Sequence, residues 1–230
     1  MVKLSKKMQK AQALVEKNKT YPLSEAVVLA QKASISKFDG SIDVAIKLNL
    51  DTKKVEQQLR GSVSLPHGNG KTTRILVIDD GSITASQAKE LGADYYGGTD
   101  IIQDIEKMLN QIDLIITTPK MMPNLAKLGK VLGPRGLMPN PKIGTVTTEL
   151  AKTISEFKKG RLEYRTDTYG NIHMCVGKVS TDPNYIVENI ESLIALLKSK
   201  KPNTVKGQYI QNITVSPTMG PSVKVIISNN

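Results

Sequence analysis

Apolar and polar residues alternate most regularly at Ile42, Val44, Ile46, Leu48 and Leu50, with Asp43, Ala45, Lys47 and Asn49 between them. Period two over this stretch predicts a strand with one buried face. Leu162 and Tyr164 alternate in the same way with Arg161, Glu163 and Arg165, and Ile172, Met174 and Val176 do so beyond a Tyr169-Gly170-Asn171 turn. Together these two runs predict a β-hairpin. Ile186, Ile190, Leu193, Ile194 and Leu197 recur at helical spacing and predict one apolar face of a long helix. Residues 1–35 hold two helical stretches, the second announced by Pro22 at its first turn with Ser24 and Glu25 close behind. Two last strands flank Pro217 to Pro221.

The middle of the chain has another rhythm. Arg74 to Asp80 (RILVIDD) and Asp113 to Thr118 (DLIITT) are short continuous apolar runs, as expected of strands buried on both faces. Between them lie a short helix with Ala88 and Leu91, a glycine-punctuated stretch at Tyr95–Gly98, and a helix for which Thr99 is the expected cap. Helical spacing returns at Leu125, Leu128 and Leu132, and again at Leu150, Ile154 and Phe157. Strand and helix alternating at this pace predict βαβ units on a mostly parallel sheet. The N-terminal flank ends on one strand, which cannot close a sheet alone, so it is expected to pair with the C-terminal flank. The fold class is therefore α/β with two domains. A discontinuous α+β domain spans 1–66 plus 160–230, and an inserted Rossmann-like βαβ domain spans 67–159.

Charge sharpens this division. The 230 residues carry 32 Lys and Arg against 21 Asp and Glu, a net +11. Residues 67–159 hold 12 basic and 10 acidic side chains, whereas the flanks hold 20 and 11. The flanking domain is expected to face a polyanion, with nucleic acid favoured over a basic surface kept for solubility. A single cysteine, Cys175, excludes an internal disulfide framework, and two histidines give little material for a metal site. No apolar run approaches the roughly 20 residues of a membrane span. The basic N-terminus lacks the apolar core of a signal peptide. We expect no membrane partner.

Motifs for catalysis are weak. His67 to Arg74 (HGNGKTTR) contains Gly-Lys-Thr, but Leu65 occupies the place of the first phosphate-loop glycine, and the segment leads into a strand rather than a helix. A polar turn in a domain linker is the expected reading, and no dinucleotide fingerprint follows the strand at 74–80. No cofactor is expected. A nucleotide- or phosphate-binding enzyme using the central βαβ domain stands as the alternative. The segment Leu132 to Thr147 (LGPRGLMPNPKIGTVT) interleaves Gly133, Gly136 and Gly144 with Pro134, Pro139 and Pro141, which excludes a regular helix or central strand. It predicts a loop of fixed shape, either bracing the sheet or presenting Arg135 and Lys142 to a partner.

This segment also resembles the signature of the bacterial-type large-subunit ribosomal protein L-one family, whose members belong to the mobile stalk beside the exit site. The resemblance runs through Lys37-Phe38, Arg60-Gly61, Leu65-Pro66-His67-Gly68, Ile172-His173, Lys206-Gly207 and Thr218-Met219-Gly220-Pro221-Ser222. It implies the same two-domain division and a non-catalytic, cytoplasmic constituent of the large ribosomal subunit. The implied partners are large-subunit ribosomal RNA in the stalk, exit-site transfer RNA, and the leader of the protein's own messenger, whose translation it represses.

Carried over by position, the family's RNA contacts fall at Lys37, Phe38 and Ser41, around Arg165 to Asp167, and at Thr218, Met219 and Gly220. Lys37 suits a phosphate, and Phe38, read at the start of a strand, suits a ribose or base. In the expected hairpin, Arg161, Arg165, Asp167 and His173 share the polar face, which is either an RNA surface or ordinary solvated sheet. Met219 is either a contact at a tight turn or a buried gap-filler. Members of the family usually carry a longer polar side chain between Lys-Phe and Ser. This chain has Gly40 there, so no contact carries over to that position. The loop with Arg135 and Lys142 is the candidate transfer-RNA face. The two chain crossings, flanked by Pro66, Gly68, Gly70 and Gly160, are candidates for a hinge.

Overall fold

A computed structural model of the chain describes residues 5–16, 19–81 and 83–227. Part of the basic N-terminal stretch, residues 1–4 and 17–18, lies outside the described residues. The chain divides into two compact units, one of Met1–Gly70 with Tyr164–Asn230 and the other of Lys71–Glu163. Each division falls slightly later than the expected 66/67 and 159/160. The His67 N–H donates to Asn189 Oδ1, and the His67 ring stacks on Tyr185 at 4.2 Å, which keeps this turn with the first unit. Arg161 donates to Glu156 Oε2 and to the Ile143 carbonyl, which keeps it with the second.

The first unit opens with α1 (Lys6–Ala13), β1 (Thr20–Tyr21), α2 (Leu23–Lys32), β2 (Ser41–Leu48) and β3 (Arg60–Ser64). The second unit contributes β4 (Ile75–Ile78), α3 (Ala85–Glu90), β5 (Tyr95–Gly97), α4 (Thr99–Met108), β6 (Leu114–Thr117), α5 (Met122–Ala126), α6 (Gly129–Leu132) and α7 (Leu150–Lys158). The chain then returns through β7 (Arg161–Arg165), β8 (Asn171–Lys178), α8 (Pro183–Ser199), β9 (Ile210–Pro217) and β10 (Val223–Val225).

In the first unit, β2 lies inside a five-stranded sheet of order β1-β10-β9-β2-β8. Its Ile42, Val44, Ile46 and Leu48 are buried, and β8 and β9 flank it antiparallel on its two edges. Helices α2 and α8 pack together and against β8, β9 and β10. Ala26, Val27 and Ala30 of α2 and Ile186, Ile190, Leu193 and Leu197 of α8 are all buried. The other face of the sheet carries Ser41, Asp43, Ala45 and Lys47, each only half-buried.

The predicted hairpin is not one. Strand β7 pairs with β3, β8 pairs with β2, and a single bridge, Thr166 to Ile172, joins the two runs beside their turn. Alternation reports which face a strand buries, not which strand it bonds. Strand β3 shows no such alternation of large residues because Gly61 sits where Tyr164 packs: a Cβ there would lie 2.8 Å from the Tyr164 hydroxyl.

In the second unit, β4 stands between β5 and β6, all parallel. Its four residues are fully buried, Ile75 and Val77 into one core and Leu76 and Ile78 into another. The glycine-punctuated stretch at Tyr95–Gly98 is therefore a strand at Tyr95–Gly97, edging the sheet. Thr99 does not cap α4: it is the first helical residue, and Gly98 occupies the cap without a side-chain bond. The side-chain cap appears instead on α3, where Thr84 and Gln87 bond each other's backbone N–H.

Asn189, completely buried in α8, accepts from the His67 N–H and donates to the carbonyls of Gly68 and Val176. Replacing it by alanine leaves these backbone groups short of partners. Asn189→Ala should cost about 2–4 kcal/mol in denaturant unfolding, against little for exposed Asn184→Ala.

Candidate nucleic-acid interface

The residues expected from both ends of the sequence meet at one end of β2. The Thr218 N–H donates to the Ser41 carbonyl at 2.9 Å, and the Ser41 N–H donates to the Thr218 hydroxyl at 2.9 Å. The Ile35 N–H donates to the Met219 carbonyl at 3.0 Å. Gly220 closes the turn against α2: a Cβ there would lie 2.6 Å from Pro217 Cγ and 2.8 Å from the Ala33 carbonyl oxygen. No side chain fits, so glycine is required. This bracing leaves Met219 48% exposed, which excludes the gap-filler reading. Phe38 does not begin a strand. It sits in a bend ahead of β2, with its carbonyl accepting from the Ser36 hydroxyl, and its ring is 62% exposed. Asp39 beside it accepts from the Ser180 N–H and hydroxyl. Gly40 is buried, and a Cβ would press on Ser36 Oγ at 3.2 Å. Lys37 is exposed on the same bend.

A second group lies along β2. His173 pairs with Ala45, four residues from Ser41 and so about 13 Å along the strand. Its Nε2 is 3.5 Å from Asp167 Oδ2. Asp167 also accepts from the N–H groups of Tyr169 and Asn171 and from the Asn171 side chain. Burial works against its charge, but these donors outweigh it and hold the carboxyl down to about 2. Arg165, at the end of β7, is exposed nearby in sequence, with no bond tying it to Asp167. Arg161 leaves the expected polar face altogether for its bonds in the second unit.

Sequence reasoning missed Asp43. It lies between Cys175 and Ser216 in register, on the half-buried face, and burial raises its carboxyl against the pull of His173 and Lys178. The signal was present in the alternation, which put Asp43 on the same side as Ser41 and Lys47. The register sets Ala45, Cys175 and Ser216 directly beside it, with Lys178 and His173 further along the same face.

In the second unit, the 132–147 loop braces the sheet, the first of its two expected readings. The Thr117 N–H donates to the Thr145 carbonyl, and the Thr147 N–H to the Thr117 carbonyl. Leu137 and Ile143 are buried from the same loop. Arg135 and Lys142 remain exposed, and one Arg135 nitrogen donates to Asn110 Oδ1 at 2.8 Å. Several other cations of this unit are paired with acids: Lys71 and Arg74 with Asp113, Lys120 with Asp80, and Lys158 with Asp94. Hydrogen bonding from Arg74 above all holds Asp113 at about 2. Among the described residues no helix is long and apolar enough to cross a membrane, and no cluster of His, Cys, Asp and Glu is placed to hold a metal.

The model of the ribosomal protein L1p/L10e family matches residues 29–221, from α2 through the turn that carries Met219. The chain belongs to this family. It is 67% identical over 230 residues, the whole of both chains, to the large ribosomal subunit protein uL1 of Ureaplasma urealyticum serovar 10. It is 55% identical to the protein of the same name from Mycoplasmoides gallisepticum, over 98% of this chain and 99% of the relative. The Mycoplasma pneumoniae protein of that name is also 55% identical, over 98% of both. The family and these relatives are ribosomal proteins and not enzymes, so the phosphate-binding enzyme alternative finds no support.

The Asp167 carboxyl gives a test of the local geometry. Its folded value of about 2 lies below the usual unfolded value of about 3.9, so the stability it contributes is complete above about pH 4 and is lost as pH falls toward 2. The stability gap between the parent and Asp167→Asn should stay constant down to about pH 5 and close below about pH 4. An NMR titration placing this carboxyl near 4 would contradict the described bonding.

Proposed function

We propose that this protein is a constituent of the large ribosomal subunit that binds large-subunit ribosomal RNA in the stalk through the first unit. The observation carrying this reading is the turn at 217–220, braced on Ser41, Ile35 and Ala33 so that Met219 and neighbouring Phe38 stand exposed on a rigid frame. Exposed apolar side chains on a basic surface suit RNA, since phosphates pair with lysine while riboses and unstacked bases take apolar contact. Lys37 supplies charge, Ser41, Thr218 and the Gly220 backbone allow close approach, and Arg165, Asp167 and His173 extend the footprint along the polar face. The leader of the protein's own messenger, offering the same RNA shape, competes for this surface and so represses translation. Exit-site transfer RNA meets the exposed Arg135 and Lys142 of the second unit, assisting its release. The protein acts in the cytoplasm as part of the ribosome.

Lys37 and Met219 should fail differently. Lys37→Ala removes a phosphate partner, so binding should weaken on every RNA and the salt slope should shrink by about 0.7–1. Met219→Ala removes an apolar contact worth about 1–2 kcal/mol, so the stalk RNA should bind roughly tenfold more weakly with the salt slope unchanged. Filter binding across a salt series separates the two, and identical profiles would refute the assigned roles.

A further inference from the structure

Tyr169 is the most exposed large apolar side chain among the described residues, at 75%. It stands on the β7–β8 turn, at the opposite end of β2 from Phe38 and Met219. Lys47 of β2, six residues from Ser41, donates its ammonium to the Tyr169 carbonyl, which sets the two places about 20 Å apart along the strand.

The turn carrying this ring is held from several sides. The Tyr169 N–H donates to Asp167 Oδ1 at 2.8 Å, and the Gly170 N–H to the Asp167 carbonyl. Gly170 has φ +78°, and a Cβ there would lie 3.2 Å from the Leu48 carbonyl oxygen. The Thr52 hydroxyl donates to the Thr168 carbonyl at 2.5 Å, docking the 51–54 loop beside the turn. A rigid backbone thus presents an aromatic ring with little protein packed on it.

Cations belong to the turn and to the segments that adjoin it. Lys47 reaches the turn itself, exposed Lys53 follows Thr52, and Arg165 ends β7. The acids here are engaged: Asp51 lies 3.9 Å from Lys54 and accepts from the Lys53 N–H, and Asp167 holds the turn and His173. An exposed ring with Lys47 bonded to its own turn, and exposed Lys53 and Arg165 on the adjoining segments, suits an unpaired nucleobase stacked on the ring with a phosphate on lysine, a contact every base can make. A peptide groove would need neighbouring apolar walls, and Lys47, Thr52, Lys53 and Thr168 supply none.

We propose that Tyr169 is a stacking platform for an unpaired base of the bound RNA, a second anchor at the far end of the polar face. This rests on the RNA-binding reading above and extends its footprint beyond Asp167 and His173.

The chain has no tryptophan, so Tyr169→Trp installs a single indole at the platform. With a transcript of the large-subunit stalk RNA as probe, Tyr169→Trp and Tyr169→Phe should bind within about twofold of the parent. The indole emission should be quenched on binding, as a stacked base requires. Tyr169→Ala should bind about 5- to 20-fold more weakly, with an unchanged salt slope because no phosphate contact is lost. Met219→Ala is measured beside them. If Met219→Ala weakens binding while Tyr169→Ala stays within twofold and the indole is unquenched, the platform is refuted and the RNA-binding reading stands. If neither alanine variant changes binding, both readings fall.

Discussion

A strand whose alternate side chains are Ile42, Val44, Ile46 and Leu48 must bury one face and satisfy two hydrogen-bonding edges at once. Its near neighbours in sequence supply neither edge. Both come from beyond residue 170, with β8 on one side and β9 on the other. That single requirement folds the two flanks of the chain into one unit. It also sets Thr218 against Ser41 and His173 against Ala45, so sheet register brings together the bend with Lys37 and Phe38 and the turn with Met219. The helices α2 and α8 cover the apolar face, and the polar face carries the candidate interface.

Much of this was legible in the residues. Alternation identified β2 and β8, helical spacing identified α8, and the need to pair a lone strand brought the two flanks together. What failed was anything decided by partners rather than by faces. The β7 and β8 runs have the periodicity of a hairpin, but Gly61 opposite Tyr164 gives β7 a better partner in β3. Strand β5 is three residues long and too short for a period to show. Thr99 looked like a cap because the acids behind it suit a helix start, yet Gly98 takes that place with a backbone conformation no pattern reveals. Within the site, exposure decided Met219 and Phe38, and exposure depends on the Ala33 carbonyl and the Ser36 hydroxyl, which no motif encodes. Arg161 was misplaced because its reach across to Ile143 depends on tertiary packing.

The two units express opposite solutions to burial. In the second, β4 is apolar on both faces, and several of its unit's cations are neutralised by nearby acids, so its surface has little net field. In the first, one sheet face stays half-buried and holds Asp43, whose carboxyl burial pushes up against the pull of His173 and Lys178.

The sheet order has a consequence for the protein's own synthesis. Residues 71–163 form a contiguous unit that can fold as soon as it leaves the ribosome. The five-stranded sheet must wait for β9 and β10, and the turn with Met219 lies between those two strands. The surface assigned to RNA is thus assembled last, from the earliest and latest segments of the polypeptide. A chain abandoned midway carries a complete second unit and lacks the assembled turn of the first.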